Sequence, residues 1–246
     1  MEEATIDVST EQKVFTTYEE TLVNYRKKFA DVVSPLLAEN NQKTLLLFWI
    51  FFSSNGVGMT EPVEDWIRRA GKNCEKLGYK ELGIQLGKHA IHEADHQLMM
   101  IEDTKKFIER WNKQYTPKLT AQDFFNKPMT EAVNNYRILH EHFIEGSNPY
   151  CQIAIEYEIE NLSITYGPEI IEHTYKILGQ DIQECLSFSV DHVKIDAAHT
   201  KFNRKVISDF LSAYPEVLQD LMDAGVRALR AYGNFLTSCL QQARAF

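Results

Sequence analysis

Hydrophobic residues recur at three- and four-residue spacings along nearly the whole chain, the signature of helices with one buried face. Breakers separate these segments: Gly56, Gly58 and Pro62, then Gly78, Pro117, Gly146 with Pro149, Gly167-Pro168, Gly179 and Pro215. The spacing predicts helices near residues 10–39, 42–54, 62–77, 80–114, 121–145, 150–165, 168–178, 182–212 and 216–244. No segment alternates with period two in Val, Ile and Thr, so strands are not expected. Neither a repeat nor a linker interrupts the pattern. The expectation is an all-α chain, one bundle of about seven to nine helices spanning residues 1–246 as a single domain.

Polar residues interrupt these apolar stripes in an ordered way. Along the helix predicted at 80–114, one face reads Leu82, Leu86, His89, Glu93, His96, Met100, Phe107. The helix predicted at 182–212 repeats the arrangement as Phe188, His192, Asp196, His199, Phe202, Val206, Phe210. Both carry His-x3-acid-x2-His. A third face, Cys151, Ile155, Glu158, Leu162, Thr165, again places a carboxylate among apolar residues. Glu156 and Glu160 compete with Glu158 in the same run; Glu160, with Ile153, Tyr157 and Ile164, has a stripe about as apolar, so periodicity does not choose between Glu158 and Glu160. A lone histidine on an apolar face is normally a hydrogen-bonded core residue. Two matching triplets plus a buried carboxylate need a common partner, because an unpaired buried carboxylate costs several kcal/mol. Carboxylate and imidazole together suit Fe, Mn or Zn, and Glu93-x-x-His96 is a spacing by which helical bundles hold two ions. His92 lies a step off the stripe, and His140, His142 and His173 are expected on solvated faces.

Composition narrows the classes. Hydrophobic residues are 44% and charged residues 25%, and the net charge of −9 with no basic cluster argues against nucleic acid as a partner. The longest apolar run, Leu45–Phe52, is far short of the roughly 20 residues of a membrane span, so no integral membrane protein is expected. Met1–Gln12 is acidic and polar, unlike a targeting peptide. Cys74, Cys151, Cys185 and Cys239 stand far apart with no CxxC, which suits a cytoplasmic protein. Oligomeric state is not legible, and a homodimer is compatible with everything above.

The motifs resemble the haem-oxygenase-like di-iron oxidases, a family that includes the chlamydial protein associating with death domains (CADD-like proteins). His192-Val-Lys-Ile-Asp196-Ala-Ala-His199 is similar to the family's His-x3-Asp-x2-His helix. Ala154-Ile-Glu-Tyr157-Glu158 resembles its helix with a bridging Glu after an aromatic residue, and His92-Glu93-Ala-Asp-His96 its Glu-plus-His helix. The resemblance covers residues 80 to 212 by motif. It implies a haem-oxygenase-like bundle without haem, and two iron ions (or Fe/Mn) with O2 as co-substrate. It implies ligand roles for Glu93, His96, Glu158, His192, Asp196 and His199, and it is what favours Glu158 over Glu160. His89, which spacing alone would allow as a ligand, becomes a supporting neighbour by the same resemblance, as does His92. One departure stands out. The region matching the chlamydial protein's tyrosine-bearing helix, Thr44–Phe52, contains no Tyr, which argues against self-sacrificial para-aminobenzoate synthesis; Tyr18, Tyr25 and Tyr157 are the remaining donors.

The resulting expectation is an O2-dependent di-metal oxidase acting on a small molecule. The run of eight bulky residues from Leu45 to Phe52 suggests a fatty acid or other apolar chain as substrate. Two other classes compete: a thiaminase-like cofactorless enzyme acting on a pyrimidine, with Cys151 as nucleophile, and a non-enzymatic metal-binding or interaction protein.

Overall fold

The computed structural model describes residues 8–246, with side chains from Lys13 onward; the first seven residues of the polar Met1–Gln12 stretch lie outside the described residues. Ten α-helices follow one another, and no strand occurs among the described residues. They are α1 (Val8–Leu37), α2 (Gln42–Thr60), α3 (Val63–Lys76), α4 (Lys80–His92), α5 (His96–Gln114), α6 (Ala121–Phe125), α7 (Glu131–Glu145), α8 (Gln152–Leu178), α9 (Ser187–Ala213) and α10 (Leu218–Ala245). Short 3-10 turns precede α8, α9 and α10.

Local chemistry sets most boundaries. Asn41 caps α2 through its side-chain oxygen, and Thr120 with Asp123 forms a capping box on α6. Gly78 and Gly179, both at positive φ, close the loops after α3 and α8. Three expectations are corrected. The helix predicted at 80–114 is two, because the chain turns at Glu93–Asp95. The stretch 121–145 is also two, α6 and α7. Residues 150–165 and 168–178 instead join in one helix that runs through Pro168. The residue before a proline is driven out of helical geometry partly by its own Cβ, and here it is Gly167, which has none.

α8 is the axis of the bundle. Gln152 to Glu158 is buried on every side, against α9, α10, α1 and α7. α4 and α5 face α9 from across the site, while α2 and α10 close the remaining side. Two devices fix the ligand-bearing helices. α3 and α4 approach backbone to backbone at Gly71 and Gly83, where a Cβ on Gly83 would lie 2.6 Å from the Gly71 carbonyl oxygen. Asp103 of α5 caps α9 from outside, accepting hydrogen bonds from Ser187 N (3.0 Å), Ser187 Oγ (2.7 Å) and Phe188 N (2.9 Å). That cap holds the first turn of α9, one turn before His192.

No helix among the described residues is long and apolar enough to cross a membrane. Leu45 to Phe52 is wholly buried, and only Phe48, Trp49 and Phe52 of the eight reach a cavity; the rest pack the core.

Candidate metal centre

Glu93 sits where α4 ends, and the chain must turn before His96 can start α5. Asp95 makes that turn at φ 66°, the one non-glycine residue at positive φ among the described residues. Such a conformation costs about 1–2 kcal/mol for most residues, and Asp is among the few that visit it. The turn brings both acid and imidazole to face α8 and α9.

Glu93 divides its two oxygens between two groups of side chains. Oε1 lies 3.2 Å from His199 Nδ1 and 3.9 Å from His89 Nε2. Glu160 Oε1 completes that group, 3.3 Å from His89 Nε2 and 3.7 Å from His199 Nδ1. Glu93 Oε2 lies 3.0 Å from His96 Nδ1, which is 3.1 Å from His192 Nε2. Within each group the donor atoms all lie within 4.8 Å of one another. Asp196 stands at the edge, its Oδ1 3.8 Å from His199 Nδ1. His192 is oriented from behind by a contact of its Nδ1 with the Phe188 carbonyl oxygen at 2.8 Å, leaving Nε2 facing the group.

Three atoms of the first group, His89 Nε2, Glu160 Oε1 and His199 Nδ1, are buried without a hydrogen-bond partner. Orphaned buried polar atoms are costly, and three of them converging is what a cation site looks like before its ion is counted. Carboxylates and imidazoles in these numbers fit Fe, Mn or Zn. The residues therefore fit two ions that share Glu93.

Of the ligands expected from sequence, Glu93, His96, His192 and His199 are brought together, with Asp196 beside them. Glu158 is not. It is fully buried on another side of α8, where Arg26 donates to it from Nε (2.6 Å) and Nη2 (2.7 Å) and Tyr18 Oη from 2.9 Å. Glu160 occupies the position expected for Glu158. His89 stands among the donor atoms rather than behind them, whereas His92 is exposed with its ring 5.8 Å from that of His199. His142 is exposed as expected. His140 is instead fully buried, stacked on Trp66 at 4.0 Å, and His173 is half-buried with Nε2 2.9 Å from the Glu39 carbonyl oxygen. His140 shares a face with Tyr136, Phe143 and Ile144, a signal its charged neighbour Glu141 obscured.

Electrostatics follow the geometry. Burial alone would raise Glu93, but the His199 and His96 imidazoles hold it well below the usual carboxylate range. Burial raises Glu160 well above that range, with like-charged Asp196 adding to it. Asp196 is pushed up to about 6, chiefly by burial. Burial, then His96, lowers His192 to about 4, and burial lowers His89. The Glu93 carboxylate raises His199. Glu156, one turn before Glu160, is pushed by burial up to about 8.

These shifts carry a sign. Glu156, Glu160, Asp196 and His199 all bind protons more tightly folded than unfolded, so the stability they confer is complete at low pH and lost as pH rises through their folded pKa values. His89 and His192 have the opposite shift but are neutral in both states above their ordinary value of 6.5, so they cannot compensate there. Metal-free protein is therefore expected to lose stability from pH 6.5 to above 8, by about 1.4 kcal/mol per pH unit for each proton involved. Metal-loaded protein should show a flatter profile in thermal melts, because bound ligands stay deprotonated. A metal-free melting temperature that rises over that window would contradict the assignment.

The group opens into a cavity of about 150 Å³ walled by α2, α7, α8, α9 and α10. Nine aromatic residues line it, among them Phe48, Trp49, Tyr136, Phe188 and Tyr232, together with the carboxyls of Glu93, Glu156, Glu160 and Asp196. Among the described residues, no lysine, arginine or cysteine does. Sequence reasoning missed Tyr136 and Tyr232; no spacing distinguishes a cavity wall from packed core.

No protein-family model matches the sequence, and no curated protein matches it. Among solved structures, the chain is similar to a domain of unknown function with a haem oxygenase-like fold from Shewanella denitrificans OS217. The TM-score is 0.70 at 16% identity, over 99% of this chain and 96% of that one. At that identity the likeness speaks for architecture alone. The chain has a haem oxygenase-like fold.

Proposed function

We propose that the chain is an O2-dependent di-metal oxidase of the haem-oxygenase-like di-iron type, with two iron ions or an Fe/Mn pair, acting on a small organic molecule. The observation that carries this reading is the division of Glu93, one oxygen toward His89, Glu160 and His199 and the other toward His96 and His192. A carboxylate so placed would bridge two ions, with Asp196 available to either side. Reduced ions held there would supply O2 activation. The protein's own part is positional. Asp103 and the Phe188 carbonyl oxygen fix α9 and the His192 ring, the Glu93–Asp95 turn aims Glu93 and His96, and an aromatic wall flanks the centre.

The rivals are less well supported. A thiaminase-like reaction needs a thiol beside carboxylates. Yet Cys151 does not line the cavity, and burial pushes its thiol well above the usual range, so thiolate is scarce. A metal-storage or interaction role leaves the cavity without a purpose. The test is anaerobic reconstitution with Fe(II), alone and with Mn(II), followed by O2. Rapid O2 uptake with a new optical band, both lost in His199→Ala, is expected. Tight iron binding without O2 uptake would favour storage and overturn the oxidase reading.

A further inference from the structure

The cavity's chemistry narrows what can occupy it, on the assumption that it adjoins the oxidase centre proposed above. Its volume of about 150 Å³ is that of an engineered cavity known to take benzene, so a single ring fits and a long chain does not. A fatty-acid chain exceeds that space. Its polar groups are unevenly satisfied. Tyr166 Oη donates to the Arg26 carbonyl oxygen at 2.7 Å and Trp49 Nε1 to Thr174 Oγ1 at 3.0 Å, so both are occupied. Glu156 receives one hydrogen bond, from Gln152 Nε2 to its Oε1 at 2.5 Å, and none at its other oxygen from the described residues. The hydroxyls of Tyr136 and Tyr232, whose rings lie 6.5 Å apart, likewise make no hydrogen bond with the described residues. Yet Glu156 and Tyr136 are buried and Tyr232 is half-buried, and polar tips so placed are normally paired. No lysine or arginine among the described residues lines the cavity to pair with an anion, and burying an unpaired charge there is costly.

We infer that the cavity recognises a ring-sized apolar molecule carrying one hydrogen-bond-donating group, a phenol, benzylic alcohol or benzylic amine, whose donor meets Glu156 on the wall shared with Tyr136 and Tyr232. The apolar ring is held by the aromatic wall, and the donor satisfies the free carboxyl oxygen. In a phenol or benzylic alcohol the tyrosine hydroxyls then have the substrate oxygen to donate to. A carboxylate-bearing analogue would give up its hydration with no lysine or arginine to pair with.

The experiment measures binding of toluene, benzyl alcohol, benzylamine, benzoate and decanoate to the metal-free full chain by titration calorimetry. Omitting metal prevents a carboxylate from binding simply as a ligand of an ion. Benzyl alcohol and benzylamine are expected to bind at least about tenfold more tightly than toluene, with benzoate and decanoate weaker than toluene. Glu156→Leu should abolish the preference for the alcohol and amine. In case that variant does not fold, Tyr136→Phe and Tyr232→Phe each delete one hydroxyl and should each reduce the advantage of benzyl alcohol about fivefold. Binding of benzoate or decanoate as tight as that of benzyl alcohol, no binding of any probe, or a preference unchanged in the folded variants would overturn the inference. Iron content of the same preparations after separate loading judges the oxidase reading independently. Selectivity without metal sinks only the latter, and metal without selectivity only the former.

Discussion

Glu158→Ala is expected to destabilise the metal-free protein by about 3–5 kcal/mol while leaving the metal affinity of the folded fraction nearly intact. Glu158 is fully buried and takes three hydrogen bonds, two from Arg26 and one from Tyr18. Its removal leaves the Arg26 guanidinium largely buried with Glu19, 2.9 Å away, as its one remaining carboxylate partner among the described residues. An uncompensated buried charge is the costly outcome, whatever the intact pair is worth. Glu160→Ala should do the reverse. It deletes one oxygen that has no hydrogen-bond partner in the absence of an ion and one that accepts a single bond from Asn203 Nδ2 at 2.7 Å, so unfolding by urea should change by about 1–3 kcal/mol, less than for Glu158→Ala. Metal affinity should fall by more than the ~10–100-fold typical of groups that merely support a ligand. The contrast is read by urea unfolding of metal-free protein beside a metal titration. Loss of metal in Glu158→Ala with unchanged unfolding would mean that α8 presents a different face to the centre.

Glu93→Ala should have the largest effect on metal content. Each of its oxygens serves a different group, so its loss should remove both ions, bringing iron per chain from about two to near zero. Glu160→Ala or His89→Ala should remove the ion of one group, and His192→Ala that of the other. Elemental analysis after gel filtration distinguishes this pattern from a single shared site, in which every variant would lose all the metal together. If Glu93→Ala kept one tightly bound ion, the bridging assignment would fail.

The contrast between Glu93 and Glu158 shows what the sequence made legible. α9 has a solvent side, so helical periodicity fixes which residues point inward, and His192, Asp196 and His199 follow from it. Glu93 and His96 lie just beyond α4, on a turn that keeps both on the face its stripe continues. α8 has no solvent side between Gln152 and Glu158. With burial all round, an apolar stripe has no polar face to be measured against, and residues 158 and 160 look equivalent. What separates them is Arg26, on a helix 132 residues away in sequence. No local pattern announces that pairing. His89 is the converse case: its spacing already allowed a ligand role, and the resemblance, not the pattern, set it aside. The break after His92 was hidden because its hinge is Asp95 rather than glycine. Pro168 was misread for the opposite reason, since proline usually ends a helix and the preceding Gly167 removes part of the conflict.

The central claim is that one carboxylate, Glu93, joins two metal ions in this bundle. Anomalous scattering at the iron edge, from crystals of the protein reconstituted anaerobically with Fe(II), tests it most directly. Two peaks per chain are expected. One should lie among Glu93 Oε1, His89, Glu160 and His199, and the other among Glu93 Oε2, His96 and His192. No peak in the bundle, or iron bound only away from Glu93, would contradict the account.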